Sequence, residues 1–211
     1  MDLSEFKIEG KKMQPTRSSI NRLTNEGYQF KIYAPPIKEG LLQKLELVSN
    51  QWLKHMGQKE ITFTQGIFDP EVLKNHTIFT VEDNEEKVYA FLNLVPVYSP
   101  GLSTYDLIRK VSNAPNGILD MLLCKTFLYL KEKGYQKVNL GLAPLSGIDE
   151  ASFRAKTIRY AYDNIPTFAH FKGLRKFKEK FFPEWEKKYL IYNNDYHLLQ
   201  VPSALRKVSE I

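Results

Sequence analysis

The run "GILDMLLCKTFLYLKEKG", residues 117–134, passes directly into "YQKVNLGLAPLSG". Apolar side chains recur at helical spacing in the first stretch, and Gly134 offers the residue that closes a helix. The second reads as a short strand that leads into a turn. A long apolar helix that delivers the chain straight into a strand has to bury its face against the sheet which that strand joins. The chain is therefore confined to layered α/β or α+β folds containing a parallel crossover.

The upstream pattern narrows the choice. "PTRSSINRLTNEGYQF" predicts a short helix opened by Pro15 and stopped by Gly27. "YQFKIYAPP" alternates as a strand and ends at a proline pair. Leu41, Leu42, Leu45, Val48, Trp52 and Leu53 mark a second helix, and "DPEVLKNH" a short capped turn or helix. "TIFTVEDNEEKVYAFLNLVPVYS" predicts a hairpin with a polar turn at Asp83–Glu86, and "GLSTYDLIRKV" a further strand. After the long helix come a helical stretch near 150–163 and a last strand, "KKYLIYN". This order predicts a mixed, mostly antiparallel central sheet flanked by helices, as in the GNAT type of acyltransferase fold. With 211 residues, 43% hydrophobic and 13% aromatic, one packed domain is expected. Its parts would be a basic connecting segment and helix (1–27), a core (28–202) and a tail (203–211).

Most catalytic signatures are missing. Cys124, the single cysteine, excludes an intrachain disulfide framework, and its apolar setting favours a buried inert thiol over a nucleophile. The histidines at 55, 76, 170 and 197 show no metal spacing, so no metal is expected. There is no P-loop and no nucleophile elbow. The turn before the long helix, "KVSNAPNGILD", carries a single glycine where a coenzyme A pyrophosphate would need a glycine-rich cradle. Coenzyme A is therefore not expected. No apolar run reaches the roughly 20 residues needed to span a bilayer, and the opening residues lack a signal peptide's apolar stretch. This predicts a soluble chain, either free-standing or one domain of a longer membrane protein.

Two features remain. "STYDLIRKV" sets Asp106 and Arg109 three apart, on opposite faces of a regular strand but together at a bulge or a strand end. As a surface ion pair they would contribute under about 1 kcal/mol. As a site, the carboxylate would grip an ammonium and the guanidinium a carbonyl or phosphate. Charge is also uneven. Residues 7–22 hold Lys7, Lys11, Lys12, Arg17 and Arg22 against Glu9, a local +4. Residues 172–188 hold Lys172, Arg175, Lys176, Lys178, Lys180, Lys187 and Lys188 against Glu179, Glu184 and Glu186, again +4 of an overall +6. In a helix over 173–182, Leu174, Phe177, Lys178 and Phe181 would share one side. The remaining charges would form either a solvated face or a surface for an extended polyanion such as RNA.

"GKKMQPTRSSINRLTNEGY", "YDLIRK", "APNGILDMLL", "NLGLAPLSG" and "FKGLRKFKEKFFPEWEKKYLIY" occur in that order. Together they resemble the C-terminal catalytic domain of the phosphatidylglycerol lysyltransferases, the multiple peptide resistance factors, from about residue 3 to residue 202. The resemblance implies the second repeat of a tandem GNAT region, with transmembrane helices elsewhere in full-length members. It implies transfer of an aminoacyl group, lysyl or alanyl, from aminoacyl-tRNA to the glycerol hydroxyl of phosphatidylglycerol at the inner face of the cell membrane. The family's Asp-x-x-Arg pair falls on Asp106 and Arg109. Tyr98, Tyr105 and Asp120 are further substrate-site candidates. Lys11, Lys12, Arg17, Arg22, Lys172, Arg175, Lys178 and Lys180 would meet tRNA or lipid phosphate. Alternatives left open are a peptidoglycan-bridge or coenzyme A-dependent transferase, and a non-catalytic RNA- or membrane-surface module.

Overall fold

A computed structural model describes residues 1–57, 60, 66–144, 146, 173–189, 191 and 200. Helix α1 (Gln14–Asn25) has proline in its first turn and is followed by Gly27 at φ +92°, as Pro15 and Gly27 predict. Strand β1 (Gln29–Tyr33) stops before a cis Pro35–Pro36 bond. Helix α2 (Glu39–Met56) ends at Gly57 in the left-handed region. The one-turn helix α3 (Pro70–Leu73) is capped by Asp69, whose carboxylate accepts from the Glu71 N–H at 2.9 Å. Then come β2 (Ile78–Glu82), β3 (Val88–Val95), β4 (Leu102–Lys110), α4 (Ile118–Glu132), β5 (Lys137–Asn139) and the short α5 (Leu174–Glu179).

The strands form one sheet in the order β1-β2-β3-β4-β5. The first four make an antiparallel meander, and β5 lies parallel to β4 after the α4 crossover. That is the GNAT-type arrangement expected above. On its β4 side, β5 pairs with Leu102, Ser103 and Thr104, so β4 runs on past it towards Lys110, and a bridge joins Lys137 to Asp2 on the other side.

Each face of the sheet has its own core. On one, α1, α4 and Phe181 pack over Phe79, Val81, Ala90 and Leu92. Phe127 of α4 is fully buried and meets Phe6 and Phe181 edge-on at 5.3 and 5.4 Å. On the other, α2 and Leu73 cover Ile78, Phe91, Leu107 and Val111. Strand β2 is buried along its whole length, since both faces are covered.

The helix expected near 150–163 lies outside the described residues. "KKYLIYN" departs from expectation as far as it is described: Lys187, Lys188, Tyr189 and Ile191 carry no strand. Tyr189 and Ile191 are 80% and 93% exposed. Their alternation is therefore not used against any sheet edge among the described residues, and Pro183 shortly upstream has no N–H to give a ladder.

Candidate active site

Strand β4 is bulged. Leu92 pairs with Ile108 and Leu94 with Tyr105, so β4 carries one residue more than β3 over this interval. Tyr105 and Ile108 both pack on the α4 side, whereas Leu107 packs on the α2 side. The extra residue cancels the opposition of positions three apart, and Asp106 joins Arg109 on the α2 side of the sheet.

There the two residues have different partners. The Arg109 guanidinium is 2% exposed and makes a two-pronged contact with Glu60, Nη1 to Oε1 at 2.7 Å and Nη2 to Oε2 at 2.6 Å. Nη1 also donates to the hydroxyl of Ser49, and the guanidinium lies 5.0 Å over the Trp52 ring. Asp106 Oδ1 accepts from the Gly66 N–H at 2.7 Å. Glu60 Oε1 accepts in turn from the Phe68 N–H at 3.2 Å. The pair thus holds the connection between α2 and α3 at two backbone points. Burial opposes ionisation of Glu60, but the hydrogen bonds and charge of Arg109, with the Phe68 N–H, outweigh it and hold its carboxyl below the usual range. The surface ion pair considered from spacing is not what forms. Arg109 is a buried cation whose fork is taken up by Glu60, since α2 and Glu60 close over it.

Asp106, Glu60 and Arg109 sum to −1, which suits a cationic ligand group. Ser49, Trp52, Glu60 and Gly66 escaped the sequence reading. Ser49 and Trp52 sit in an ordinary amphipathic pattern, and nothing local ties Glu60 to a residue 49 positions away.

The other candidates fall elsewhere. Tyr98 is 98% exposed in the β3–β4 turn and lines a cavity of about 320 Å³ with His76, Thr77, Ser103 and Tyr135. Tyr105 packs on the α4 side, gives its hydroxyl to the Leu140 carbonyl at 3.3 Å, and burial raises its pKa. Asp120, in the first turn of α4, holds Lys180 Nζ with both oxygens at 3.0 Å. Cys124 is fully buried, and burial, with the charge of Asp120, pushes its thiol up to about 12, in keeping with an inert core thiol.

The cations divide into two sets. Arg17 donates to the Ile8 carbonyl at 3.1 Å, and Arg22 to Glu26 at 3.0 Å and the Asn116 carbonyl at 2.7 Å. Arg175 binds Glu179 at 2.9 Å and lies 4.6 Å over Trp185. The helix expected over 173–182 is shorter, ending at Glu179 with Phe181 beyond it; Lys178 is 6% exposed and donates to the Leu142 carbonyl at 2.9 Å. Burial pushes its ammonium down to about 8. Lys172 lies outside the described residues. Lys11 and Lys12 are exposed, and the Lys12 ammonium sits 5.6 Å over the Phe182 ring. That contact sets the two basic stretches, far apart in sequence, side by side.

Residues 1–192 match the family described as "Phosphatidylglycerol lysyltransferase, C-terminal". The chain belongs to this family. It is 37% identical over 198 residues to the phosphatidylglycerol lysyltransferase of Bacillus subtilis (strain 168), covering 92% of this chain and 23% of that protein. The L-PGS structure from Bacillus licheniformis superposes with a TM-score of 0.83 at 36% identity, covering 98% of this chain and 63% of that one. The C-terminal domain of a putative lysylphosphatidylglycerol synthetase from Agrobacterium fabrum gives 0.80 at 31% identity, over 96% and 62%. The family is one of transferases, and this chain spans about a quarter of the curated relatives' length.

Proposed function

We propose that the chain carries the transfer site for moving an aminoacyl group, lysyl first among donors, from aminoacyl-tRNA to the terminal glycerol hydroxyl of phosphatidylglycerol. The observation that carries this reading is the bulge in β4. It gathers Asp106 beside the Glu60–Arg109 clamp in a chain of the lysyltransferase family. A site of net −1 favours an aminoacyl ammonium over an acetyl or acyl group.

In the transfer the glycerol oxygen attacks the ester carbonyl carbon and loses its proton, the carbon–oxygen bond to the ribose breaks, and the ribose oxygen takes up a proton. The ester is already activated, so orientation can supply much of the acceleration. Asp106 holds the ammonium, with Gly66 fixing the carboxylate. Arg109, its fork filled by Glu60, acts by holding Glu60 and the following chain in place. The patch formed where Lys12 meets Phe182 supports binding of tRNA or lipid phosphate.

Aminoacyl-tRNA is the proposed donor in place of coenzyme A. The glycine before α4, Gly117, is occupied in packing: a Cβ there would stand 2.5 Å from Ser19 Oγ. Among the described residues no helix is long and apolar enough to cross a membrane. We place the site at the inner membrane face, next to further parts of a longer protein. The test is incubation with labelled lysyl-tRNA or alanyl-tRNA and phosphatidylglycerol vesicles, followed by thin-layer separation. Label should move to lipid with wild-type protein, and on the order of 30–200-fold more slowly with Asp106→Asn. Equal transfer by the variant, or label left wholly on tRNA by a wild type that binds it, would overturn the reading.

A further inference from the structure

A bulge leaves part of a ladder unpaired, and here the gap is filled by a side chain. The Leu107 N–H donates to Asn93 Oδ1 at 2.9 Å, and Asn93, 1% exposed, stands opposite the extra residue of β4. Because that N–H can only donate, it fixes which end of the Asn93 amide is the oxygen. The Nδ2 end then faces His76 Nδ1 at 3.1 Å. An amide NH₂ can only donate, so His76 Nδ1 accepts and the ring proton lies on Nε2.

We propose that Asn93 is a positioning residue: through the Leu107 N–H it holds β4 in the bulged register that sets Asp106 beside Arg109, and His76 locks the orientation of its amide. The inference rests on the reading of Asp106 as part of the transfer site. Without the Asn93 oxygen, the Leu107 N–H would be buried without a partner. A slip of β4 by one residue would turn Asp106 to the other face.

The experiment compares Asn93→Ala, Asn93→Leu and Asn93→Asp in the lysyl-tRNA assay, each alone and on an Asp106→Asn background. Nitrogen NMR of His76 and amide exchange at Leu107 accompany the kinetics. Asn93→Ala and Asn93→Leu should lower kcat on the order of 10–100-fold with little change in KM for tRNA, whose phosphates bind elsewhere. Asn93→Asp still accepts from Leu107 and should retain more activity than either. On the Asp106→Asn background the further loss should vanish, since Asn93 acts through Asp106. His76 should show an unprotonated Nδ1 in the wild type, and Leu107 should lose exchange protection in the Ala and Leu variants.

Full kcat in Asn93→Ala while Asp106→Asn is impaired would overturn the proposal, as would equal fractional losses on both backgrounds or a protonated Nδ1. If Asp106→Asn is itself fully active, the reading of the transfer site fails instead. The His76 and Leu107 signals then still decide whether Asn93 holds the bulge.

Discussion

Gly66 meets Asp106 more closely than any other residue type allows. A Cβ built on it would lie 1.9 Å from Asp106 Oδ2 and 2.9 Å from Cγ. Its own N–H meanwhile donates to Oδ1 at 2.7 Å. The perturbation is Gly66→Ala. Its φ lies outside the left-handed region, so the backbone tolerates alanine and the clash is with the carboxylate alone. A charge-assisted bond of this kind contributes about 1.5–3 kcal/mol, and displacing the carboxylate forfeits most of it. Against that, replacing glycine stiffens the unfolded chain and returns about 0.4–1 kcal/mol. The net expected cost is therefore about 0.5–2.6 kcal/mol. On an Asp106→Ala background the obstacle is gone, and the same substitution should be neutral or stabilising by up to about 1 kcal/mol. The assay is a double-mutant cycle from urea unfolding at matched m-values, with an expected coupling of about 1.5–3 kcal/mol. Additivity within about 0.5 kcal/mol would refute the close approach, and with it the idea that Gly66 orients Asp106.

Glu60→Gln leaves the buried Arg109 without its countercharge. Discounting for the partial exposure of Glu60, it should cost about 2–3 kcal/mol by urea unfolding, and an unchanged midpoint would contradict the clamp. Because the folded Glu60 carboxyl is held below its ordinary range, this contribution is present above that range and lost as pH falls through the folded value. Acid titration of stability should accordingly be shallower in the variant. For Lys178, pushed down to about 8, the unfolded chain holds the proton from there up to the ordinary lysine range while the folded chain does not. Stability should thus rise with pH over that window, and Lys178→Met should abolish the rise while keeping or raising the melting temperature at pH 7. The single glycine before α4 predicts negligible acetyl-coenzyme A affinity by calorimetry, whereas tRNA retention should fall steeply between 50 and 200 mM salt, with micromolar coenzyme binding or a flat salt response counting against the proposed donor.

The elements were legible where the physics is local. Pro15 and Gly27 bracket α1, Asp69 caps α3, the proline pair stops β1, and the spacing in 117–134 marks α4, because dihedral preferences and side-chain periodicity act within a few residues. The order of those elements, with a helix passing straight into a strand, carried the sheet topology too. The burial of Lys178 and Phe181 was readable from the same spacing, although the helix ends at Glu179 and Phe181 lies past it.

The site was legible only in part. Spacing singled out Asp106 and Arg109 and showed that only an irregularity, a bulge or a strand end, would join them. Whether one forms depends on Asn93, on another strand, filling the gap left at Leu107. The sequence by itself determined the local elements, their order, the uneven charge and the pair of residues on β4. Only the tertiary structure decided that Arg109 is buried against Glu60, that Asp106 is held by Gly66, and that Lys12 and Phe182 join the two basic stretches. Those contacts link residues 40 to 170 positions apart. Burial and hydrogen bonding act through space, and no local preference encodes which distant partner closes over a given side chain.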